Sequence, residues 1–115
     1  MSVFILLRCL DIGQTRTFYE SVLGFNVVLT MENTITVTNA GANLVFTNED
    51  LWHLNPSLSG TIYITVADID QYFYRTAGNA PVAWPFQSMP YGSREFAIID
   101  CNGYLIAFQQ DASKQ

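Results

Sequence analysis

The chain has 115 residues, of which half are apolar and 13% are charged, and its formal net charge at pH 7 is −5. This length predicts one domain, 1–115, whose core is large enough to fold without disulfides. An acidic chain without clustered Lys and Arg is a poor candidate for binding nucleic acid. No apolar run is long enough to span a bilayer, and residues 1–7 lack the basic start of a signal peptide. We therefore expect no nucleic-acid or membrane partner, and a cytoplasmic protein.

Aromatic side chains are unusually frequent, with 8 Phe, 6 Tyr and 2 Trp. Besides a large core, this content predicts a cavity lined with rings, or rings that a partner subunit covers. The two cysteines, Cys9 and Cys101, are too few for a disulfide framework. We expect them to be reduced thiols in a reducing compartment.

The first half of the chain predicts the order β-α-β-β-β. Asp11 is a suitable N-cap for an amphipathic helix, and Gly24 is placed to end that helix. Apolar and β-branched runs predict four strands, with a turn at 39–41 before the last of them. These strands are 3–7, 25–30, 34–38 and 42–47.

The second half repeats this order after a polar linker at 51–60. A helix is predicted to begin at Asp68 and to end near Gly78. Asn102-Gly103 favours a type I′ turn in the last hairpin. The predicted strands are 61–66, 81–84, 95–99 and 105–108. Because the helix starts and the turn glycines recur at nearly one offset, we infer a duplication of two modules, 1–50 and 61–110.

Four stretches of sequence carry a resemblance to a known family. They are FYESVLGF at 18–25, VADID at 66–70, YGSREFA at 91–97 and DCNGYLIAF at 100–108. Together they resemble the glyoxalase/bleomycin-resistance/extradiol-dioxygenase (vicinal oxygen chelate) superfamily, and most closely its bleomycin-resistance proteins. The resemblance implies an α+β fold in which two βαβββ modules form a cupped mixed sheet, with the ligand on the concave face.

The resemblance also implies where a metal ion would bind, at four positions that line the cup. None of the residues there is a usual ligand for a divalent cation. The single histidine, His53, lies in the predicted linker, and no serine or cysteine has a neighbouring base to activate it. We therefore expect no metal, no cofactor and no catalytic residue. The four positions are Ser2, Val45, Thr61 and Ala107, or, one residue away, Val3, Leu44, Ile62 and Ile106.

The bleomycin-resistance likeness implies a non-catalytic protein that sequesters a flat aromatic or cationic compound in an aromatic-lined dimer cleft. Tyr91 matches the loop aromatic that stacks on the ligand, and Tyr63 matches another ring-bearing position of the family cup. Trp52 and Trp84 are further candidate walls. We expect Tyr91 to bind through its ring face rather than through its hydroxyl.

Two other classes of function stay open. One is a metal-dependent lyase, dioxygenase or thiol transferase of the same superfamily, and the other is a protein-interaction module that uses exposed rings. The likeness also implies a homodimer, because relatives close their cups across a two-fold axis. Glu95, which follows Arg94 at the start of a strand, is interpreted as part of a surface ion pair or a dimer contact.

Overall fold

The computed structural model describes residues 2–39 and 41–110. The chain forms two compact units, Met1–Ser57 and Leu58–Gln115. Within the described residues, each unit contains four strands and a helix in the order βαβββ, which confirms the predicted α+β class. The elements of the first unit are β1 (Ile5–Arg8), α1 (Ile12–Thr17), β2 (Asn26–Met31), β3 (Thr34–Asn39) and β4 (Ala42–Thr47). Those of the second are β5 (Thr61–Thr65), α2 (Ile69–Thr76), β6 (Val82–Ser88), β7 (Arg94–Ile99) and β8 (Leu105–Gln110).

The sheet of the first unit has the strand order β1-β4-β3-β2, with β1 parallel to β4 and the other pairs antiparallel. Leu7, Phe46 and Ile35 lie side by side on its core face and are buried. The ring of Tyr19, which is also buried, packs on Phe46 with centroids 4.9 Å apart. This contact fixes the helical segment against the sheet.

The helical segment of the first unit begins as predicted and changes geometry midway. The Asp11 carboxylate accepts a hydrogen bond from the backbone N–H of Gln14 at 2.9 Å, as an N-cap does. After α1 the chain continues as a π-helical turn, Phe18–Val22, closed by the N–H of Leu23 donating to the carbonyl of Phe18. Gly24 then takes a φ of 74°, which ends the segment at the predicted residue.

The sheet of the second unit has the same pattern, β5-β8-β7-β6, with β5 parallel to β8. Asp68 caps α2, and this helix covers one face of the sheet through packed rings. Phe96 and Phe108 stack on that face with centroids 5.4 Å apart. Phe73 of α2 meets Phe96 edge-on at 5.2 Å. The apolar core of this unit therefore lies between α2 and the sheet.

Alternation along the strands sends the intervening side chains to the face opposite α2. Two rows of side chains cross the sheet on this face, as the strand registers show. One row runs Thr65, Gln109, Glu95 and Gln87, and the next runs Tyr63, Ala107, Ala97 and Trp84. Rings at both ends of the second row flank two alanines, while the first row is polar throughout.

Strand β6 is longer than the predicted 81–84 and extends to Ser88. The observed strand includes Pro85, which lacks the N–H of a regular ladder. The proline is accommodated because β6 is an edge strand and contains a β-bulge. At the bulge, the stretch of β6 from Trp84 to Gln87 is longer than the stretch of β7 from Ala97 to Glu95 with which it pairs.

The predicted type I′ turn in the last hairpin is wrong. Asn102 does not have a positive φ, whereas Gly103 has a φ of 90°. The turn is a three-residue loop in which the Asp100 N–H donates to Tyr104 and the Gly103 N–H donates to the Asp100 carbonyl. The Asp100 carboxylate accepts from the N–H groups of Asn102 and Tyr104, and these bonds replace those of a two-residue turn.

Neither Cys9 nor Cys101 is part of a disulfide, and burial raises the pKa of the Cys9 thiol. No helix in the described part of the chain is long and apolar enough to cross a membrane.

Candidate functional site

A buried carboxylate lies at the centre of the candidate site, on the face of the second sheet that α2 leaves uncovered. Glu95 is only 1% exposed, although it follows Arg94 at the start of β7. Adjacent strand residues point to opposite faces, so Arg94 instead pairs with Asp70, at 3.2 Å, and lies over the ring of Phe86. The interpretation of Glu95 as a surface ion pair with Arg94 is therefore wrong.

Three aromatic side chains donate hydrogen bonds to this carboxylate. The Tyr91 hydroxyl donates to Oε1 at 2.5 Å. The Tyr63 hydroxyl and the Trp84 indole N–H donate to Oε2 at 3.2 and 3.1 Å. The structure thus brings three of the four residues predicted to bind a ligand onto one acidic group.

Glu95 has no cationic partner within the described ranges, and none of the ion pairs there includes it. Buried carboxylates are ordinarily paired with a cation or a metal, because removing a charge from water is costly. Here three neutral donors share the negative charge. We name Tyr63, Trp84, Tyr91 and Glu95 the Glu95 cluster.

Tyr91 reaches Glu95 from a tight loop between β6 and β7. The N–H of Met89 donates to the carbonyl of Ser93 at 2.8 Å, and the N–H of Gly92 donates to the carbonyl of Met89 at 2.9 Å. This is the hydrogen-bond pattern of the loop at Asp100. Pro90 restricts the first loop position, and the φ of 93° at Gly92 requires a residue without a Cβ. The sequence Pro-Tyr-Gly therefore holds the Tyr91 ring at the loop tip.

The two tyrosines of the Glu95 cluster resist ionisation. The hydrogen bond to Glu95 is the main cause that raises the pKa of Tyr91, with the nearby hydroxyl of Ser93 acting in the opposite direction. Desolvation is the main cause that raises the pKa of Tyr63, followed by repulsion from the Glu95 charge. Both hydroxyls therefore remain hydrogen-bond donors beyond the pH at which an ordinary tyrosine ionises.

The rings of the Glu95 cluster are only partly covered. Tyr91 is 63% exposed and Tyr63 is 47% exposed, so their faces are open to a ligand while their hydroxyls point to Glu95. Beside them lies a pocket of about 230 Å³ lined by Thr65, Tyr91, Ser93 and Gln109. The arrangement offers flat apolar surfaces backed by one negative charge, with neutral polar groups alongside.

Trp52, the fourth predicted ligand-binding residue, lies in the first unit within a loop that follows β4. It is 40% exposed, and its predicted role stays a prediction. His53 is next to it in the same loop and has a φ of 57°. Neither residue belongs to the Glu95 cluster.

The positions at which relatives would hold a metal do not offer a suitable set of donors. Ser2 precedes β1 and therefore lies outside that strand. Across the parallel pairs, Val45 is opposite Leu6, and Ala107 is opposite Tyr63. The side chains of Val45 and Ala107 contain no ligand atom. Among the described residues, no three His, Cys, Asp or Glu side chains lie together.

Sequence reasoning missed Glu95 and the polar groups of the adjoining pocket. The available signal was the pair Ala97 and Ala107, small residues on both strands of the terminal hairpin at the spacing that puts them on one face with Glu95. Such a pair leaves room for large side chains from neighbouring strands.

Comparison with known proteins agrees with this architecture. The family model described as Glyoxalase/Bleomycin resistance protein/Dioxygenase superfamily matches residues 3–108. The chain belongs to this superfamily. No curated protein sequence matches the chain.

Solved structures of this superfamily's fold resemble the chain over nearly its whole length. TioX from Micromonospora sp. ML1 is 20% identical, with a TM-score of 0.79 over 96% of this chain and 98% of TioX. A glyoxalase/bleomycin resistance protein/dioxygenase from Alicyclobacillus acidocaldarius is 20% identical, with a TM-score of 0.76 over 96% and 91% of the two chains. A lactoylglutathione lyase from Agrobacterium tumefaciens is 18% identical, with a TM-score of 0.73 over 96% and 92%. At these identities the likeness is one of fold.

Proposed function

We propose that the protein is a non-catalytic binding protein that sequesters a flat, cationic aromatic compound on the rings of the Glu95 cluster. The observation that carries this proposal is the buried Glu95 carboxylate, which has three neutral donors and no cationic partner in the described residues. A negative charge without a counter-ion favours a ligand that brings a positive charge.

Hydrogen bonds to Glu95 also make the exposed faces of the three rings more attractive to a cation. A cation over an aromatic face is attracted by the ring quadrupole. A phenol or indole that donates a hydrogen bond to a carboxylate becomes more electron-rich, so the attraction increases. Tyr63, Trp84 and Tyr91 all donate in this way, and the net charge of −5 acts in the same direction at longer range.

The charge preference is tested with two probes of nearly equal size, 1,3-dimethylpyridinium and neutral 3-methylpyridine, at a pH above the pKa of the neutral probe. Dissociation constants are measured by NMR titration. We expect the cation to bind about tenfold more tightly, on the scale of a desolvated cation–π contact. Equal affinity for both probes, or no binding of the cation, would contradict the proposal.

The role of Glu95 is tested with Glu95→Gln, which keeps the shape of the side chain and removes its charge. We expect this variant to bind the two probes with nearly equal affinity. The matched control is Glu32→Gln, which removes one charge from an exposed side chain. If both variants lower cation affinity by the same factor, net charge rather than Glu95 carries the preference.

We also propose that the protein works as a homodimer in the cytoplasm. Leu6, Val28 and Met31 are exposed on strands of the first unit and give a second copy an apolar surface to cover. Cys9 and Cys101 form no disulfide, which suits a reducing compartment. A dimeric mass by light scattering at micromolar concentration is expected, and a monomeric mass would contradict the dimer.

Sequestration of a toxic cation would keep it from its target, so antibiotic resistance is a further part of the proposal. Cells that produce the wild-type protein should tolerate a flat cationic antibiotic better than cells that produce Glu95→Gln at the same level.

The alternative function, a metal-dependent lyase, dioxygenase or thiol transferase, has less support. Val45 and Ala107 occupy two of the metal-ligand positions, and their side chains contain no atom that could bind a metal.

A further inference from the structure

The pocket beside the Glu95 cluster contains a buried polar group without a well-formed hydrogen bond. Ser93 is 9% exposed, and its Oγ lies near enough to the Tyr91 hydroxyl to lower the pKa of Tyr91, but it makes no hydrogen bond of normal geometry within the described part of the chain. Buried hydroxyls are almost always hydrogen-bonded, and leaving one unpaired costs free energy. Since Ser93 lines the pocket, a ligand atom there would supply the missing partner.

Two more polar side chains of the pocket use only part of their hydrogen-bonding capacity. The Gln109 side-chain amide donates to the Thr65 hydroxyl at 3.2 Å, which leaves the side-chain carbonyl of Gln109 as an acceptor and the Thr65 O–H as a donor. Neither of these has another partner among the described residues. The pocket therefore presents an acceptor and two hydroxyl groups to whatever occupies it.

The charge around the pocket selects against an anion. Thr65, Tyr91, Ser93 and Gln109 are all neutral side chains, and Gln109 is the register partner of Glu95 on the adjacent strand. A carboxylate or phosphate group would therefore approach the Glu95 charge without a compensating cation. A neutral group with one hydrogen-bond donor and one hydrogen-bond acceptor pairs better with the polar groups that line the pocket.

The volume limits the size of the occupant. At about 230 Å³ the pocket is smaller than the roughly 300–1,000 Å³ of a site for a drug-sized ligand. It exceeds the cavity of about 150 Å³ that accommodates benzene. One substituted ring, or the substituent and part of a larger ring system, therefore fits.

We propose that this pocket binds a carboxamide or lactam group of the ligand while the attached ring stacks on Tyr91. The N–H of the ligand's amide donates to the side-chain carbonyl of Gln109, and the oxygen of the ligand's amide accepts from the hydroxyls of Ser93 and Thr65. This inference deepens the proposed function, on which it rests for the stacked ring, and it names the ligand class as planar aromatic amides.

The test adds two amide probes to the pair used above: nicotinamide, which is neutral, and 1-methylnicotinamide, which is cationic. Each differs from 3-methylpyridine or 1,3-dimethylpyridinium by a carboxamide in place of a methyl group. We expect the carboxamide to improve affinity about three- to tenfold in both the neutral and the cationic pair, as one or two net hydrogen bonds would.

Two variants remove pocket hydroxyls without adding bulk. Ser93→Ala should abolish most of the carboxamide preference while leaving the melting temperature equal to or above that of wild type, because the deleted hydroxyl is unpaired. Thr65→Val, at an exposed position, should reduce the same preference. Ser59→Ala, at an exposed serine of the same unit, is the control and should change neither quantity.

The outcomes separate the two proposals. If the carboxamide improves binding in the neutral pair but the cations bind no better than the neutral probes, the amide pocket stands and the cationic ligand class is wrong. If the cations are preferred and the carboxamide has no effect in either pair, the pocket inference is overturned. A carboxamide preference that persists unchanged in both Ser93→Ala and Thr65→Val also overturns it.

Discussion

The hydroxyl of Tyr91, at the tip of a tight loop, and the carboxylate of Glu95, four residues later on β7, are joined by a hydrogen bond of 2.5 Å. The bond orients the Tyr91 ring from its far end, while the backbone of the Met89–Ser93 loop holds it from the other. A binding surface that is held at both ends loses little entropy when a ligand stacks on it. The hydroxyl therefore has a positioning role that the sequence did not reveal.

Tyr91→Phe tests that role. The ring face remains, but the bond to Glu95 is lost, so we expect affinity for 1,3-dimethylpyridinium to fall about two- to tenfold. Tyr74→Phe, at an exposed tyrosine of α2, is the control and should bind as wild type does. Affinity equal to wild type in Tyr91→Phe would show that the ring face alone matters, as the sequence led us to expect.

The raised pKa values of Tyr63 and Tyr91 predict how stability depends on alkaline pH. The folded state keeps these protons above the ordinary pKa of 10.0, at which the unfolded state releases them. Their contribution is fully present below that pH and is lost as pH rises through the folded pKa values. Spectrophotometric titration should show tyrosines that ionise late in wild type and earlier in Glu95→Gln. Identical titration curves would contradict the assigned cause.

The terminal hairpin predicts a backbone effect at Gly103. Its φ of 90° disfavours any side chain, although a Cβ there would meet no atom within 4 Å. Gly103→Ala should therefore lower the free energy of unfolding by about 1–2 kcal/mol through strain alone. Gly60→Ala is a matched control, because its Cβ would also meet nothing and its φ is not positive. Urea unfolding of both variants measures the difference, and equal stability would contradict the strain.

The residues at the family's metal positions predict indifference to divalent cations. Zinc, nickel and manganese at modest concentration should leave the melting temperature unchanged, because a metal that binds the native state must raise it. Differential scanning fluorimetry with and without a chelator makes the measurement. A clear rise with one metal, abolished by the chelator, would show that other residues form a site.

The elements that local chemistry determines could be predicted from the sequence. Asp11 and Asp68 were identified as helix caps because an N-cap side chain accepts a hydrogen bond from a backbone N–H three residues later. The residues that identify the cap therefore lie within one short stretch of sequence. Strand 42–47 was predicted at its observed bounds. The end of β6 was missed, since the bulge that admits Pro85 depends on the pairing with β7 and on the edge position of the strand.

In the candidate site, too, the features set by local sequence could be predicted, and those that depend on contacts between strands could not. Tyr91 was singled out because it belongs to the stretch YGSREFA at 91–97, whose resemblance to the family is local information. The burial of Glu95 depends on Tyr63 and Trp84, which come from separate strands, and no short window of sequence contains all three. The pocket hydroxyls Ser93 and Thr65 were overlooked for the same reason, since Thr65 ends β5, Ser93 precedes β7, and they line one pocket only in the folded sheet.

The depth of the Glu95 carboxylate has a consequence for how binding responds to salt. Mobile ions screen charges on the surface within roughly 10 Å at 0.1 M ionic strength, but they screen a buried charge much less. Attraction that arises from the net charge of −5 should fade as salt is added, whereas attraction that arises from Glu95 should persist. The ligand would then associate more slowly in concentrated salt and yet dissociate at nearly the same rate, so retention would be largely independent of ionic strength.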